Sequence, residues 1–115
     1  MTIDELLNKY CFHDSCITNI SYSLNEKKLE IKMDFCLWAQ KDYNDGDLEN
    51  IWIKLILFGI EEYNGFTGDI DYFSIENVEK KNGKLWIYMQ DGINNEFYEM
   101  LLNPSTIELK VLGKK

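Results

Sequence analysis

Residues 28–37, KLEIKMDFCL, decide the fold of this chain. Charged side chains stand at most of the positions between the apolar ones, which are Leu29, Ile31, Met33, Phe35 and Leu37. A period of two is typical of a β-strand that buries one face and exposes the other. The stretch therefore predicts a strand on a sheet with one buried side.

A second alternation lies just upstream and predicts the partner strand. Ile20, Tyr22 and Leu24 alternate with polar residues, and only the polar link 25–27 separates them from the first stretch. Two alternating runs joined by so short a link predict a β-hairpin. Further runs predict strands over 51–58, 72–79, 85–90, 96–102 and 106–112. The first of these is apolar on both faces except at Lys54, which predicts a central strand covered on both sides.

The first ten residues predict a short helix. Thr2 and Glu5 have the spacing of a capping box, and apolar residues at positions 3, 6, 7 and 10 form one stripe. Together the elements predict an α+β, β-rich fold. It consists of a short N-terminal helix followed by about seven mainly antiparallel strands in a curled or two-layer sheet. The length of 115 residues predicts a single domain, 1–115.

The composition excludes several classes of function. Acidic residues number 20 against 12 lysines and no arginine, and the net charge is −8. The basic patch that nucleic-acid binding requires is therefore missing. No apolar run approaches the roughly 20 residues of a membrane span, and the first residues lack the pattern of a signal peptide. We expect a cytoplasmic protein with reduced cysteines that binds neither nucleic acid nor membrane.

Residues just after the predicted helix carry the groups that an enzyme would need, namely Cys11, His13, Asp14 and Cys16. His13 with Asp14 forms a candidate base with an orienting carboxylate, and Cys16 with His13 a candidate nucleophile. Addition of Cys36 gives a candidate zinc site, but the cysteine spacing is wider than zinc sites usually show. Turn and packing roles fit these residue types better. We assign no catalytic residue, metal or cofactor, and keep a small metal-dependent or cysteine-based enzyme as the alternative function.

The polar stretch 40–50, QKDYNDGDLEN, is the candidate binding site. A calcium loop of the EF-hand type would place Lys41 and Tyr43 at ligand positions, and neither suits that role. Acidic residues beside aromatic ones suit a basic protein surface, with charges that steer the encounter and rings that anchor it. The predicted partner-binding residues are Trp38, Asp42, Tyr43, Asp45, Asp47, Glu49 and Trp52.

The predicted strand 85–90 carries aromatic residues on one face and aliphatic residues on the other. Trp86 and Tyr88 alternate with Leu85, Ile87 and Met89. The pattern favours a strand with core on both faces, because aromatic rings fill sheet cores readily. The alternative is a face that meets a partner or a second subunit, since large exposed apolar patches usually mark interfaces. A homo-oligomeric structural protein that pairs through edge strands is a further alternative function.

One short motif links the predicted helix to the hairpins. It reads Phe12-His13-Asp14-Ser15-Cys16-Ile17, an aromatic residue followed by His, Asp, a small residue, any residue and Ile. In this order of features the chain resembles a group of small bacterial proteins, some of which are thought to be immunity proteins that neutralise toxins exchanged between neighbouring bacteria. The resemblance implies a non-enzymatic cytoplasmic binding protein, with a basic toxin as its partner and no catalytic residue.

Overall fold

The computed structural model describes residues 1–114, and at residue 72 it describes the backbone alone. Within that range the fold is α+β and rich in β-strand, with one helix at the N-terminal end. The elements in chain order are α1 (Ile3–Lys9), β1 (Cys16–Ser23), β2 (Lys28–Cys36), β3 (Asn50–Phe58), β4 (Gly68–Lys81), β5 (Lys84–Asp91), β6 (Glu96–Leu102) and β7 (Thr106–Lys114). The predicted fold class is confirmed.

All the described strands belong to one open sheet in the order β6-β5-β4-β1-β2-β3-β7. Every neighbouring pair is antiparallel, as the hairpin pattern predicted. Of the two predicted arrangements, curled or two-layer, the single sheet corresponds to the curled one. β6 and β7 form the two edges, and β1 lies in the centre.

The sheet curls around its inner face, which carries the buried core. Helix α1 contacts both β4 and β7, although three strands lie between them in the sheet. In a flat sheet those two strands would be about 19 Å apart, farther than the diameter of one helix. Ile3 and Leu6 bury the apolar side of α1 against the core. Asp4 adds an ion pair to Lys80 of β4, with 3.0 Å between Oδ2 and Nζ.

The N-terminus of α1 is capped as the sequence predicts. The Thr2 hydroxyl accepts a hydrogen bond from the backbone N–H of Glu5, and the Glu5 carboxylate accepts one from the N–H of Thr2, both at 3.1 Å. These bonds to Thr2 hold the pKa of Glu5 below its ordinary value. The capping box fixes the direction in which α1 starts.

Two β-bulges shape the central strands. In β1 the register shifts after Ile17, so that Ile17 and Ile20 both point into the core although three positions separate them. In β4 it shifts after Ile75, and the side chain of Val78 packs on the same core. The pairing of β1 with β4 is irregular as well, since Ile17 pairs with Phe73 but Asn19 pairs with Asp69. These irregularities break the period of two near residue 18 and ahead of residue 73, which is why the predicted strands began at residues 20 and 72 and not at 16 and 68.

Strand β3 lies between β2 and the edge strand β7, not at the centre of the sheet. Its inner side chains Ile53, Leu55 and Leu57 are buried, as predicted. On the outer face Ile56 is buried among its neighbours, whereas Trp52 stays half-buried. The prediction that β3 is covered on both sides is therefore right for the inner face and only partly right for the outer face. Among residues 1–114 no second layer lies over the outer face.

Candidate functional site: the acidic loop between β2 and β3

The acidic loop, residues 37–49, leaves the sheet at the end of β2 and returns at the start of β3. Its base is closed by a backbone hydrogen bond of 2.7 Å, in which the N–H of Leu37 donates to the carbonyl of Glu49. A turn follows at once, since the N–H of Gln40 donates to the carbonyl of Leu37 at 3.0 Å. The loop therefore starts from a fixed base on the sheet.

The side chain of Gln40 clamps the acidic loop to the segment that follows α1. Its Oε1 accepts the backbone N–H of Cys11 at 2.9 Å, and its Nε2 donates to the carbonyl of Cys11 at 2.6 Å. The same Nε2 donates to the carbonyl of Cys36 at 2.8 Å. One amide thus joins the loop, the helix exit and the end of β2.

The tip of the acidic loop folds on itself. Asp47 donates its backbone N–H to the carbonyl of Asn44 at 3.1 Å and accepts the N–H of Asn44 on Oδ2 at 3.2 Å. The Tyr43 hydroxyl donates to the carbonyl of Asp47 at 3.3 Å. Gly46, at φ +96°, takes the left-handed backbone conformation that this turn needs.

The predicted carboxylates gather around Tyr43. The pKa of the Tyr43 hydroxyl is raised, first by burial and then by the negative charges of Glu49, Asp45 and Asp47. The carboxylates themselves remain exposed to solvent, and so does Asp42. The structure thus brings Asp45, Asp47 and Glu49 close enough to Tyr43 for their charges to act on its hydroxyl.

Two apolar side chains stand in solvent on the same loop. Trp38 is 49% exposed and Leu48 is 46% exposed. Trp38 is among the predicted residues, whereas Leu48 is not, although its signal was a lone leucine in an otherwise polar and acidic stretch. Large apolar side chains in solvent, surrounded by charge, are typical of surfaces that bind another protein.

Trp52 occupies a different position from the other predicted residues. It lies on the outer face of β3, where the Nζ of Lys32 stands 5.2 Å from the centre of its ring. Its cross-strand neighbour Asp34 accepts a hydrogen bond from the Nδ2 of Asn50 at 2.9 Å. Trp52 therefore belongs to the sheet surface beside the base of the acidic loop rather than to the loop itself.

The motif of residues 12–17 forms a joint between three strands. The carbonyl of Glu76, at the bulge of β4, lies 2.9 Å from Nδ1 of His13, which donates to it. The backbone N–H of Asp14 donates to the carbonyl of Ile75, and the N–H of Ile75 donates to the carbonyl of Ser15. Asp14 has φ +66°, a left-handed conformation suited to this turn.

The side chain of Ser15 completes this joint. It is fully buried, and its hydroxyl oxygen accepts the backbone N–H of Cys36 at 2.9 Å. Phe12 and Ile17 on either side are buried in the core. The residues that carry the resemblance therefore position β1, β2 and β4.

The candidate catalytic residues lie in different surroundings. The Nε2 of His13 is 3.5 Å from the Asp14 carboxylate, and both side chains are about half exposed. Cys11 is exposed, Cys16 is partly buried and Cys36 is buried, and none of the three forms a disulfide. Burial raises the pKa of the Cys36 thiol, which makes its reactive thiolate form rarer. Among the described residues, no three His, Cys, Asp or Glu side chains are grouped closely enough to hold a metal ion.

Comparison with known proteins adds no relative. No protein-family model, curated protein or solved structure matches the chain. In the described part of the chain, no helix has the length and apolar character that a membrane crossing requires.

Proposed function

We propose that this protein is a non-enzymatic, cytoplasmic protein-binding module whose acidic loop docks on a basic protein surface. The observation that carries the proposal is the surface itself. The exposed carboxylates of Asp45, Asp47 and Glu49 act on Tyr43, and Trp38 and Leu48 are exposed on the same loop. Burial of a tryptophan and a leucine supplies affinity, and the carboxylates supply steering and selection of a cationic partner.

The anchoring of the acidic loop supports a binding role. The Gln40 clamp and the closed base hold the loop in place before any partner arrives. A loop that is already ordered loses less conformational entropy on binding, so more of the contact energy appears as affinity. An unspecialised solvent loop has no need for three side-chain hydrogen bonds at its base.

We further propose that the partner is a bacterial toxin and that the protein is an immunity-type inhibitor. Two observations support this step, the resemblance carried by residues 12–17 and the net charge of −8. A strongly acidic inhibitor attracts a basic toxin over long distances and raises the rate of capture. Fast capture suits a protein that must neutralise a toxin before it acts.

Affinity capture from the native cell at low salt, followed by binding measurements on the purified partner, tests the proposal. We expect Trp38→Ala and the charge reversal Asp45→Lys each to weaken the affinity of that partner at least tenfold. We also expect affinity to fall with added salt, since the carboxylates are exposed. Glu108→Lys, which makes the same charge reversal on an exposed site of β7, is the matched control and leaves affinity nearly unchanged.

The proposal fails if no partner is captured at low salt. It also fails if the captured partner binds the Trp38→Ala and Asp45→Lys variants as tightly as the unmodified protein. Circular dichroism of each variant confirms that the fold is retained, which is expected because both side chains are exposed.

A further inference from the structure

The two edge strands differ in whether another segment of the chain pairs with their outer edge. At β7 the backbone N–H of Ile107 donates to the carbonyl of Met1 at 2.9 Å, and the amine of Met1 donates to the carbonyl of Ile107 at 2.6 Å. Met1 thus covers the start of that edge. Within residues 1–114 no strand or terminal segment pairs with the outer edge of β6. An uncovered strand edge offers backbone donors and acceptors to another chain.

A groove runs along the uncovered edge. It consists of two adjoining clefts of about 230 Å³ and 490 Å³, which share Glu62, Leu101 and Leu102. One wall is the second half of β6 with the turn that follows it, and the other wall is the connection between β3 and β4, residues 59–65. The groove therefore lies parallel to a strand and beside its free backbone.

The second wall of the groove is held in place. Tyr63 donates a hydrogen bond from its hydroxyl to the carbonyl of Phe66 at 2.6 Å, and the same oxygen lies 3.7 Å from the sulfur of Met100. Burial raises the pKa of Tyr63 to about 12, as expected for a phenol inside the fold. Lys27 fixes Glu61 by an ion pair of 2.8 Å. The groove is thus largely formed in the free protein.

The charge of the groove is predominantly negative. Glu61, Glu62 and Glu99 line it, and Lys84 is the cation among the lining residues. Lys27 offsets the charge of Glu61 through its ion pair, which leaves Glu62 and Glu99 as the carboxylates open to a ligand. The Glu99 carboxylate is oriented by a hydrogen bond of 2.7 Å from the indole Nε1 of Trp86. A cationic side chain in the groove would meet an acceptor that is already in position.

Apolar side chains flank Glu99 on the outer face of β6. Phe97 is 52% exposed and Leu101 is 50% exposed, each two positions from Glu99. The neighbouring aromatic rings already contact one another, since Trp86 stacks on Tyr88 and Tyr88 stacks on Phe97, each with 5.3 Å between ring centres. The exposed apolar surface therefore lies at the edge, where an added strand would cover it.

We infer that this groove binds an extended segment of a partner protein, with apolar, basic and apolar side chains at alternate positions, which adds to β6 as an eighth strand. Its lysine or arginine meets Glu99, and its apolar residues cover Phe97 and Leu101. A second copy of this chain is disfavoured, because two-fold pairing centred on Glu99 would place two carboxylates opposite each other. β6 contains no lysine to relieve that repulsion.

A synthetic peptide tests the inference directly. The probe is a fluorescein-labelled peptide of roughly nine residues, enough to span β6, in which valine, lysine and valine alternate with threonine. We expect saturable binding by fluorescence anisotropy and new hydrogen-exchange protection of the amides of β6. Glu99→Gln keeps an acceptor for the indole of Trp86 but removes the charge, and we expect it to weaken binding about tenfold. Leu101→Lys should abolish binding.

Controls separate this groove from other surfaces. Val111→Lys places the same charge on the other edge strand, at a residue that is 60% exposed, and should leave peptide binding unchanged. Asp45→Lys on the acidic loop should also leave it unchanged, so the groove and the loop can fail independently.

Several results would overturn the inference. They are equal binding of a peptide with glutamate in place of lysine, equal weakening by Val111→Lys, or protection confined to β7. Concentration-dependent dimers without peptide, seen by sedimentation and lost in Leu101→Lys, would assign the edge to a second copy instead.

Discussion

Replacement of Gln40 by alanine separates the anchoring of the acidic loop from its chemistry. The substitution removes three hydrogen bonds, one from the N–H of Cys11 and two to the carbonyls of Cys11 and Cys36. It removes no charge and no exposed apolar side chain. Any change in binding therefore reports on how the loop is held.

The expected loss of stability follows from where those bonds lie. A hydrogen bond contributes about 0.5–1.5 kcal/mol net to folding. The two bonds to Cys11 are exposed, so water replaces them and they fall at the low end, whereas the bond to Cys36 is partly buried. We expect a total of about 2 kcal/mol. At a slope of about 2 kcal/mol per molar urea, the unfolding midpoint falls by about 1 M.

Urea unfolding monitored by tryptophan fluorescence measures this loss. Gln90→Ala is the matched control, since that glutamine lies half-buried on β5 and we expect its truncation to cost under about 0.5 kcal/mol. Hydrogen exchange should show faster exchange in the loop of Gln40→Ala and unchanged exchange in β5 and β6. Equal midpoints for the two variants, or loop exchange like that of the unmodified protein, would refute the clamp.

Three further substitutions test the joint, a tight turn and a titrating carboxylate. Ser15→Ala leaves the buried N–H of Cys36 without its acceptor, and urea titrations should show a free energy of unfolding lower by about 1–3 kcal/mol. A loss below about 0.5 kcal/mol would contradict the role assigned to the hydroxyl. Gly59→Ala places a Cβ 2.8 Å from the Cβ of Ser105, at a residue whose φ is +77°. We expect its thermal unfolding midpoint to be lower than that of Gly46→Ala, where the added Cβ meets no neighbour. Equal midpoints would show that the turn at Gly59 relaxes freely. Hydrogen bonds from the turn that follows β5 lower the pKa of Asp91 in the folded protein. The ionised carboxylate therefore stabilises the fold at pH values above the unfolded pKa of about 3.9. This stabilisation is lost as the pH falls through the lower pKa of the folded protein. Asp91→Asn should therefore be less stable than the unmodified protein at pH 7 and converge with it in acid; a constant difference down to pH 2 would contradict the assignment.

Strand positions were predictable from the sequence wherever side chains alternate without interruption. The stretch 28–37 predicts β2, which the structure places at Lys28–Cys36, and the turn at Asn82–Gly83 joins β4 to β5 with φ of +52° and +77°. Such paired positive angles are typical of the two-residue hairpin turn that Asn-Gly favours. The order of strands was not predictable, because the pairing of β1 with β4 joins residues some 50 positions apart.

The candidate site was predictable in composition but not in shape. Acidic residues of the loop identified the surface, and the structure gathers Asp45, Asp47 and Glu49 around Tyr43. The Gln40 clamp left no signal, because a glutamine gives no indication of which distant backbone it will meet. The groove beside β6 left none either, since its walls come from residues 59–65 and 99–105, which only the curl of the sheet brings together.

The most specific motif of the sequence, residues 12–17, stabilises the fold, so the binding function is expected on other surfaces. His13 and Ser15 bond the backbone of the β4 bulge and the end of β2, so their identities are constrained by the joint that they form. Substitution of either should change stability and any binding in proportion, because a shifted joint moves the base of the acidic loop. By contrast, the side chains of Trp38 and Leu101 are 49% and 50% exposed. A change at either position that lowers binding without lowering stability would show that the surface, not the motif, carries the function.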